Sequence, residues 1–296
     1  PLGDEFFIAS HTLLFEQGVI NQNLKIEKWE NLPVFFTTNK NDLCPFDIFA
    51  ASFFLLTRYE ESLPHMKTNL GHFNHLDSIA SKYNFLDKPI VDLWVFKFYK
   101  ILCKNFHGIS QYINGKSSKK LLLEVHIPYR YKYRSSLVNL GDFFSSLWCL
   151  NLRDLVYQIL VLLRIRKDPY DSFDSWNELF ENSSFNPKVF FLFAKSSSYQ
   201  STVSIFNFNY IKKIKQVGDY FNLGILASVQ AQILSKDQLV KEKKDFQNVT
   251  HKSITSVRFS GGIREVTIDY ENLSNSEFIN DYSMGYDNQI GFRAGT

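Results

Sequence analysis

A polar run at residues 114–120 interrupts the apolar pattern of the chain and separates two regions whose apolar residues are spaced differently. Such a run containing a Gly is typical of a linker between folded segments. We therefore expect an N-terminal α/β domain at residues 1–118 and a second domain at 119–296. In the first domain the spacing of apolar residues predicts a strand at 33–36 and helices at 45–59 and 87–103.

After residue 120, strand-like runs alternate with helix-like runs. The strands are predicted at residues 121–127, 189–194, 223–228, 254–259 and 278–286. The helices are predicted at 141–164, 175–181, 206–220, 235–246 and 265–273. Capping boxes mark two helix starts, Ser175 with Glu178 and Ser235 with Gln238. Alternation of this kind indicates βα units, and so an α/β fold with a parallel sheet or barrel.

The first of these strands carries an acid and an imidazole two residues apart. Because side chains alternate along a strand, Glu124 and His126 should lie on one face, and Val125 and Ile127 on the other. Pro128 should end the strand directly afterwards. In parallel α/β folds, chemistry is carried out at this carboxyl end.

Composition and charge narrow the class of protein. The 296 residues are 45% hydrophobic and 16% aromatic, which is enough for a large core. The net charge of +3 comes from dispersed Lys and Arg residues, so a nucleic-acid surface is not expected. The longest apolar run, 155–165, is too short to span a bilayer, so no transmembrane segment is expected. Cys44, Cys103 and Cys149 should be free, buried thiols, which favours a reducing, cytoplasmic location.

Long strings in both regions carry a resemblance to a known family. They are residues 45–61, 63–65, 85–89, 92–94, 168–174, 281–286 and 291–296. These strings resemble the Bacteroidetes-type polysaccharide deacetylase-like proteins, of the NodB or carbohydrate esterase 4 kind. The resemblance implies a distorted (β/α) barrel of the NodB type in the second domain, with the chain stopping before the last strands of that barrel.

The resemblance also implies a reaction, the metal-dependent hydrolysis of acetyl groups from sugars, with zinc or a similar divalent ion. The Asp-x-Asp motif of the family falls on Glu124 as the base and on His126 as a metal ligand. Arg293 matches the residue that orients the base. The metal-binding His of the family falls on Leu226, and a further His falls near Ser260. The remaining sugar contacts are expected from Tyr129, Ser228 and Arg258.

Several alternatives stay open at this stage. His126 is either a metal ligand or a hydrogen-bonding partner of Glu124, and the second is favoured because zinc needs three protein ligands. Arg293 is either an orienting group or a structural ion-pair partner of Glu124, and Arg58 with Glu60 and Glu61 is interpreted as a helix-end charge network.

The function that we expect is that of a polysaccharide deacetylase-like protein of surface carbohydrate metabolism, weak or inactive and without bound zinc. The alternative is a non-catalytic carbohydrate-binding or scaffold protein, and a third is another hydrolysis that uses Glu124 alone. The partner in each case is a carbohydrate, and the sequence leaves open whether the chain is an enzyme.

Overall fold

A computed structural model of the chain describes residues 6–39, 42–69, 71–106, 108–109, 119–181, 183–197, 200, 202–233 and 236–296. The chain forms two compact units. Unit 1 consists of Pro1–Ser117, Gly262–Ile268 and Met284–Thr296, and unit 2 consists of Ser118–Gly261 and Asp269–Ser283. The predicted boundary at 118/119 differs from these units in the two later segments. Local composition reports where a linker lies, but it carries no information about where a distant segment returns.

Unit 1 combines a two-stranded antiparallel hairpin with three helices. The hairpin strands are β1 (Glu27–Trp29) and β2 (Leu32–Val34), and the helices are α1 (Ile48–Leu56), α2 (Ile79–Lys82) and α3 (Ile90–Asn105). Single 3-10 turns lie at Thr12–Phe15, Tyr59–Ser62 and His75–Asp77. The core is aromatic, because the buried rings of Phe35, Phe46, Phe54 and Trp94 meet edge to face.

The α1 helix is shorter than the predicted 45–59, and both of its ends have a local cause. At the start, Asp47 Oδ1 accepts the backbone N–H of Phe49 at 3.0 Å and of Ala50 at 2.9 Å, which is an N-cap. After the end, Arg58 adopts a left-handed conformation with φ 56°.

The predicted charge network of Arg58, Glu60 and Glu61 at the end of α1 is present, and it is buried rather than exposed. Arg58 donates from Nε to Glu61 at 2.8 Å and from a terminal nitrogen to Glu60 at 2.9 Å. Its other terminal nitrogen donates to the carbonyl oxygen of Arg293. Buried ions of this kind need all of their partners, because an unpaired buried charge is costly.

Unit 2 contains the five-stranded parallel sheet that the alternating pattern predicts. The strands are β3 (Leu122–Val125), β4 (Lys188–Leu192), β5 (Asn222–Ala227), β6 (Ser256–Phe259) and β7 (Asn280–Asp281). They pair in sequential order, and each neighbouring pair is parallel. The α/β class and the five predicted strand positions are confirmed, although β7 is shorter than residues 278–286.

The helices after the first strand are α4 (Ser136–Trp148), α5 (Leu152–Leu162), α6 (Phe173–Glu181), α7 (Phe208–Tyr220), α8 (Val229–Ile233), α9 (Lys236–Thr250) and α10 (Val266–Ser274). The single helix predicted at 141–164 is wrong, because Leu150 with φ 53° breaks it into α4 and α5. The α6 helix begins before Ser175, so the capping box there is also wrong. Ser235 lies outside the described residues. Within the described ranges, no helix is long and apolar enough to cross a membrane.

The two faces of the sheet have different partners. Phe191 and Phe193 on one face contact Tyr210 of α7 and Phe246 of α9. On the other face, Phe190, Leu192 and Leu226 form a second core cluster, against which Leu122 and Tyr282 pack. Glu124 lies beside Phe190 in the strand register, so it belongs to this second face, which we call the inner face.

The sheet curves towards its inner face. His126 follows β3 and Ser260 follows β6, three inter-strand steps away, a separation of about 14 Å in a flat sheet. Nevertheless, His126 Nδ1 lies only 3.4 Å from Ser260 Oγ. On the same face, the ring of Phe190 packs directly over Gly224, where a Cβ would lie 2.5 Å from the ring, and reaches towards Tyr282.

We predict that Gly224→Ala lowers the free energy of unfolding by about 1–3 kcal/mol, because the added methyl group overpacks the inner face. Urea denaturation measures this change. Gly141→Ala is the matched control: it lies inside α4 with no atom within 4 Å of the new Cβ, so it should stabilise the chain by up to about 1 kcal/mol. If Gly224→Ala were as stable as the parent chain, the packing of the Phe190 ring would not need the space left by the missing side chain of Gly224.

Candidate functional site

The candidate site lies at the carboxyl end of β3, where the sequence predicts it. Val125 is buried on the helix-covered face, so Glu124 and His126 point to the inner face. His126 Nε2 lies 3.0 Å from Glu124 Oε2. Because a carboxylate oxygen only accepts, Nε2 carries the proton and donates it. The prediction that these two residues share a face and bond to each other is confirmed.

The second partner of Glu124 is Arg258 of β6, which donates from Nε to Oε1 of the carboxylate. The same guanidinium donates to the carbonyl oxygen of Tyr282 after β7. The sequence pointed to Arg258 as a sugar contact, whereas its described contacts fix it against Glu124. Both carboxylate oxygens of Glu124 are therefore engaged, one by each partner.

A chain of hydrogen bonds extends this pair across the edge of the sheet. Ser260 Oγ lies 3.4 Å from His126 Nδ1, and Gln200 Nε2 donates to the same Oγ at 3.3 Å. With Nε2 of His126 protonated, Nδ1 accepts, so the hydroxyl of Ser260 is its donor. The Oε1 atom of Gln200 accepts the backbone N–H of Val229 at 3.3 Å. Sequence reasoning missed Gln200, and it placed Ser260 only where the family has a His, not as a hydrogen-bonding partner of His126.

The partners of Glu124 set its ionisation. Burial by itself would raise the pKa of Glu124, but the hydrogen bond from His126 and the charge of Arg258 hold it below its ordinary value. The side chain is 26% exposed, so solvent screens part of this interaction. Glu124 is consequently a carboxylate at neutral pH and a weak base.

A cavity of about 320 Å³ adjoins His126, a size within the range of ligand pockets. It combines apolar and polar walls, supplied by His126, Ile127, Arg134, Leu192, Gln200, Thr202 and Val203. His126 and Gln200 thus belong both to the hydrogen-bonded chain and to the cavity. A small polar molecule bound there would lie next to the hydrogen-bonded side chains of Glu124, His126, Arg258 and Ser260, which we call the Glu124 cluster.

The loop that follows His126 is held by Asp168, a residue whose role sequence reasoning missed. Asp168 is buried, and its carboxylate accepts the backbone N–H groups of Arg130, Tyr131 and Lys132 at 2.8, 2.9 and 3.0 Å. Buried backbone donors need such acceptors, so one carboxylate determines the path of the loop. The signal available in the sequence was an Asp directly before Pro169, a turn-forming pair.

Two residues predicted as sugar contacts, Tyr129 and Ser228, are buried in the structure. Tyr129 packs edge to face on Tyr133 and Phe173, and burial raises the pKa of its hydroxyl. Ser228 donates from Oγ to Glu242 at 2.6 Å and is 3% exposed. Alternation along a strand predicts the face of a side chain, but it does not predict that a helix covers that face.

Arg293 belongs to unit 1, and its described side-chain contacts are with residues of that unit. Its guanidinium makes two hydrogen bonds with Glu61, at 2.8 and 2.7 Å, and donates to the carbonyl oxygen of Gly285. Burial alone would raise the pKa of Glu61, but Arg293 and Arg58 hold it below its ordinary value. This arrangement is a buried, bidentate ion pair.

The side chains of the cluster do not fit the zinc site that the resemblance implies. A structural or catalytic zinc needs three or four converging protein ligands. Among the described residues, no three His, Cys, Asp or Glu side chains converge in that way. Leu226, at the position of the metal-binding His, is fully buried in the inner-face cluster. Glu124 and His126 use their facing atoms on each other.

Comparison with known proteins adds one match. A family model described as a family of unknown function (DUF7033) matches residues 1–107. No curated protein and no solved structure matches the chain. The match covers most of the N-terminal part of unit 1 and leaves unit 2, with the Glu124 cluster, outside it.

We predict that Arg258→Met raises the pKa of Glu124, because the positive charge and one hydrogen bond are lost. The folded-state pKa is depressed in the parent chain, so the ionised carboxylate stabilises the fold above its unfolded pKa. That contribution is lost as the pH falls through the folded value. In the variant the loss should occur at higher pH. Carboxyl NMR titration measures it, with exposed Lys244→Met as control, and an unchanged pKa would contradict the ion pair.

We predict that Arg293→Met lowers the free energy of unfolding by about 3 kcal/mol, the lower end of the range for a broken buried pair, because Arg58 still contacts Glu61. Urea denaturation measures this loss, and the exposed Arg153→Met should change it by less than about 0.5 kcal/mol. If Arg293→Met kept full stability but shifted the pKa of Glu124, Arg293 would belong to the candidate site after all.

Proposed function

We propose that unit 2 has the architecture of a NodB-type (β/α) barrel. Two features support this proposal. The five parallel strands follow one another in sequential order, as barrel strands do, whereas doubly wound sheets reverse their order at a switch point. The sheet also curves towards the face that carries Glu124, and in a barrel that face is the interior.

On this fold, we propose a polysaccharide deacetylase-like protein that binds a carbohydrate and has little or no metal-dependent hydrolytic activity. The observation that carries the proposal is the ion pair between Glu124 and Arg258. The resemblance implies a divalent cation beside this carboxylate, and here the cation is a guanidinium. A general base works best with a pKa near the working pH, whereas the pKa of Glu124 is held below its ordinary value and each of its oxygens already accepts a hydrogen bond.

Carbohydrate is the proposed ligand because the cavity beside His126 offers what a sugar needs. Gln200, Thr202 and Arg134 bring amide, hydroxyl and guanidinium groups to its wall, and Leu192 and Val203 provide apolar surface. Such a mixture of convergent polar groups and apolar walls is typical of small-molecule sites. The carbohydrate is the proposed partner, and zinc is not part of the proposed site.

A second candidate function rests on a separate observation, the line formed by Ser260, His126 and Glu124. A hydroxyl, an imidazole and a carboxylate in this order have the roles of nucleophile, base and orienting group. Metal-free hydrolysis of an acetyl ester would then use Ser260 as nucleophile. The 3.4 Å separation is long for this purpose, but such contacts shorten when substrate binds.

One set of measurements distinguishes these functions. We expect acetylated amino-sugar oligomers to bind by calorimetry, with Gln200→Ala weakening binding about three- to tenfold, the value of one net hydrogen bond. The exposed Gln17→Ala serves as the control and should bind like the parent chain. After dialysis, elemental analysis should find no stoichiometric zinc, and acetate release should be negligible.

Each alternative has its own signature in the same experiment. Stoichiometric zinc, together with acetate release that Glu124→Gln abolishes, would restore the metal-dependent deacetylase. Acetate release that persists in a chelator and disappears in Ser260→Ala would establish the metal-free esterase. Absence of sugar binding in the parent chain would contradict the carbohydrate proposal itself.

A further inference from the structure

The two helices after the Glu124 strand present an unusually apolar surface to solvent. In α4, Leu137, Leu140, Phe144 and Trp148 recur at intervals of three and four residues, so they form one stripe. All four are exposed, and Trp148 is 90% exposed. A stripe of this composition normally faces a core. We call residues 136–165, which include α4 and α5, the apolar hairpin.

The α5 helix of the apolar hairpin is apolar on two sides. Leu155 and Val161 are buried on its inner side. A second stripe on the opposite side is exposed and consists of Leu152, Val156, Ile159 and Leu163. An apolar stripe at helical spacing normally faces a core rather than solvent. Within the described residues, the outer stripe of α5 is exposed to solvent, although an apolar stripe of this kind is normally covered.

The exposed side chains of the apolar hairpin form a set rather than isolated cases. Twelve large apolar residues expose more than two fifths of their surface, namely Leu137, Leu140, Phe144, Leu147, Trp148, Leu150, Leu152, Val156, Ile159, Leu162, Leu163 and Ile165. Single exposed apolar residues are normal, whereas contiguous exposed patches mark interaction surfaces. The exposed thiol of Cys149 lies in the same region, so the prediction that all three thiols are buried is wrong there.

Within residues 130–167, which contain the apolar hairpin, most charged residues are positive, although Lys167 pairs with Asp174 just beyond this range. Between residues 130 and 167 the chain has seven Lys or Arg residues and two Asp residues. Both acids are paired, Asp142 with Arg134 at 3.0 Å and Asp154 with Arg130 at 3.3 Å. Arg153, Arg164 and Arg166 are exposed. The surface thus combines apolar stripes with a cationic margin.

We propose that the apolar hairpin binds the surface of an anionic lipid bilayer. Its apolar stripes would enter the boundary between headgroups and acyl chains, and Trp148 would lie at the interface that Trp prefers. Arg153 and Arg164 would extend to the anionic headgroups. Charge complementarity selects this occupant. In a two-fold contact with a second copy, the same unneutralised cations of both copies would be brought to one interface.

Flotation with vesicles tests this proposal on the whole 296-residue chain. We expect the chain to float with vesicles of phosphatidylcholine mixed with phosphatidylglycerol, and much less with vesicles of phosphatidylcholine alone. Binding should weaken as salt is added, because the headgroup attraction is screened. The fluorescence of Trp148 should shift to shorter wavelength on binding, and Trp148→Phe should remove that shift.

Two pairs of variants separate the apolar and the electrostatic contributions. Phe144→Ser with Trp148→Ser should lower the partition coefficient at least about tenfold, because two exposed rings no longer enter the bilayer. Arg153→Gln with Arg164→Gln should lower it about twenty- to thirtyfold on anionic vesicles. The apolar control is Met66→Ser with Ile290→Ser, two exposed residues of unit 1, and the charge control is Lys241→Gln with Lys244→Gln on α9.

The outcomes decide the proposal in either direction. Loss of flotation in the hairpin variants but not in the controls, with unchanged circular dichroism, supports a lipid surface. Equal loss in the control variants would show that the binding is nonspecific adsorption, and it would overturn the proposal. Absence of flotation, together with a concentration-dependent dimer that Phe144→Ser with Trp148→Ser dissociates, would identify the surface as a contact between copies. Absence of both would also overturn it.

Discussion

The absence of a side chain at Gly224 is the steric condition on which the packing of Phe190 at the centre of the parallel sheet depends. The ring of Phe190 occupies the space that a Cβ would need and reaches the ring of Tyr282 at 5.6 Å. On this same inner face, residues three strands apart come within hydrogen-bonding distance. The pairing of Glu124 with Arg258 therefore belongs to the same curved face as the packing of Phe190.

Two Arg–Glu ion pairs in the chain show how burial changes the role of the same interaction. Glu61 and Arg293 are 4% and 2% exposed, and each carries further hydrogen bonds, so this pair is part of the fold of unit 1. Glu124 and Arg258 are 26% and 23% exposed, where solvent weakens the attraction. The partly exposed pair is the one that can respond to a ligand, because its partners retain access to water.

The cavity and the apolar hairpin are connected through Arg134. This residue lines the cavity beside His126 and also pairs with Asp142 of α4. Asp168 fixes the backbone between them by accepting three consecutive N–H groups. A rigid loop therefore links the proposed sugar site to the proposed lipid surface. A protein that acts on surface polysaccharide would meet its ligand near a membrane, so the two proposals are compatible without depending on each other.

The sequence by itself determined the strand positions of unit 2 and the shared face of Glu124 and His126. Both follow from local periodicity, since alternation along a strand and helical spacing are properties of neighbouring residues. Local periodicity also misled in one place, where the apolar spacing of 141–164 continued across Leu150 and hid a break in the helix. The spacing of apolar residues carries no sign that one residue in a left-handed conformation, Leu150, ends the helix.

Only the tertiary structure decided which residues meet. It brought Arg258 to Glu124, returned Arg293 to Glu61 in unit 1, and covered Ser228 with the helix that carries Glu242. These contacts join residues far apart in the chain. Their formation depends on the curvature of the sheet and on the path of the chain between units, and neither is encoded in the spacing of adjacent side chains.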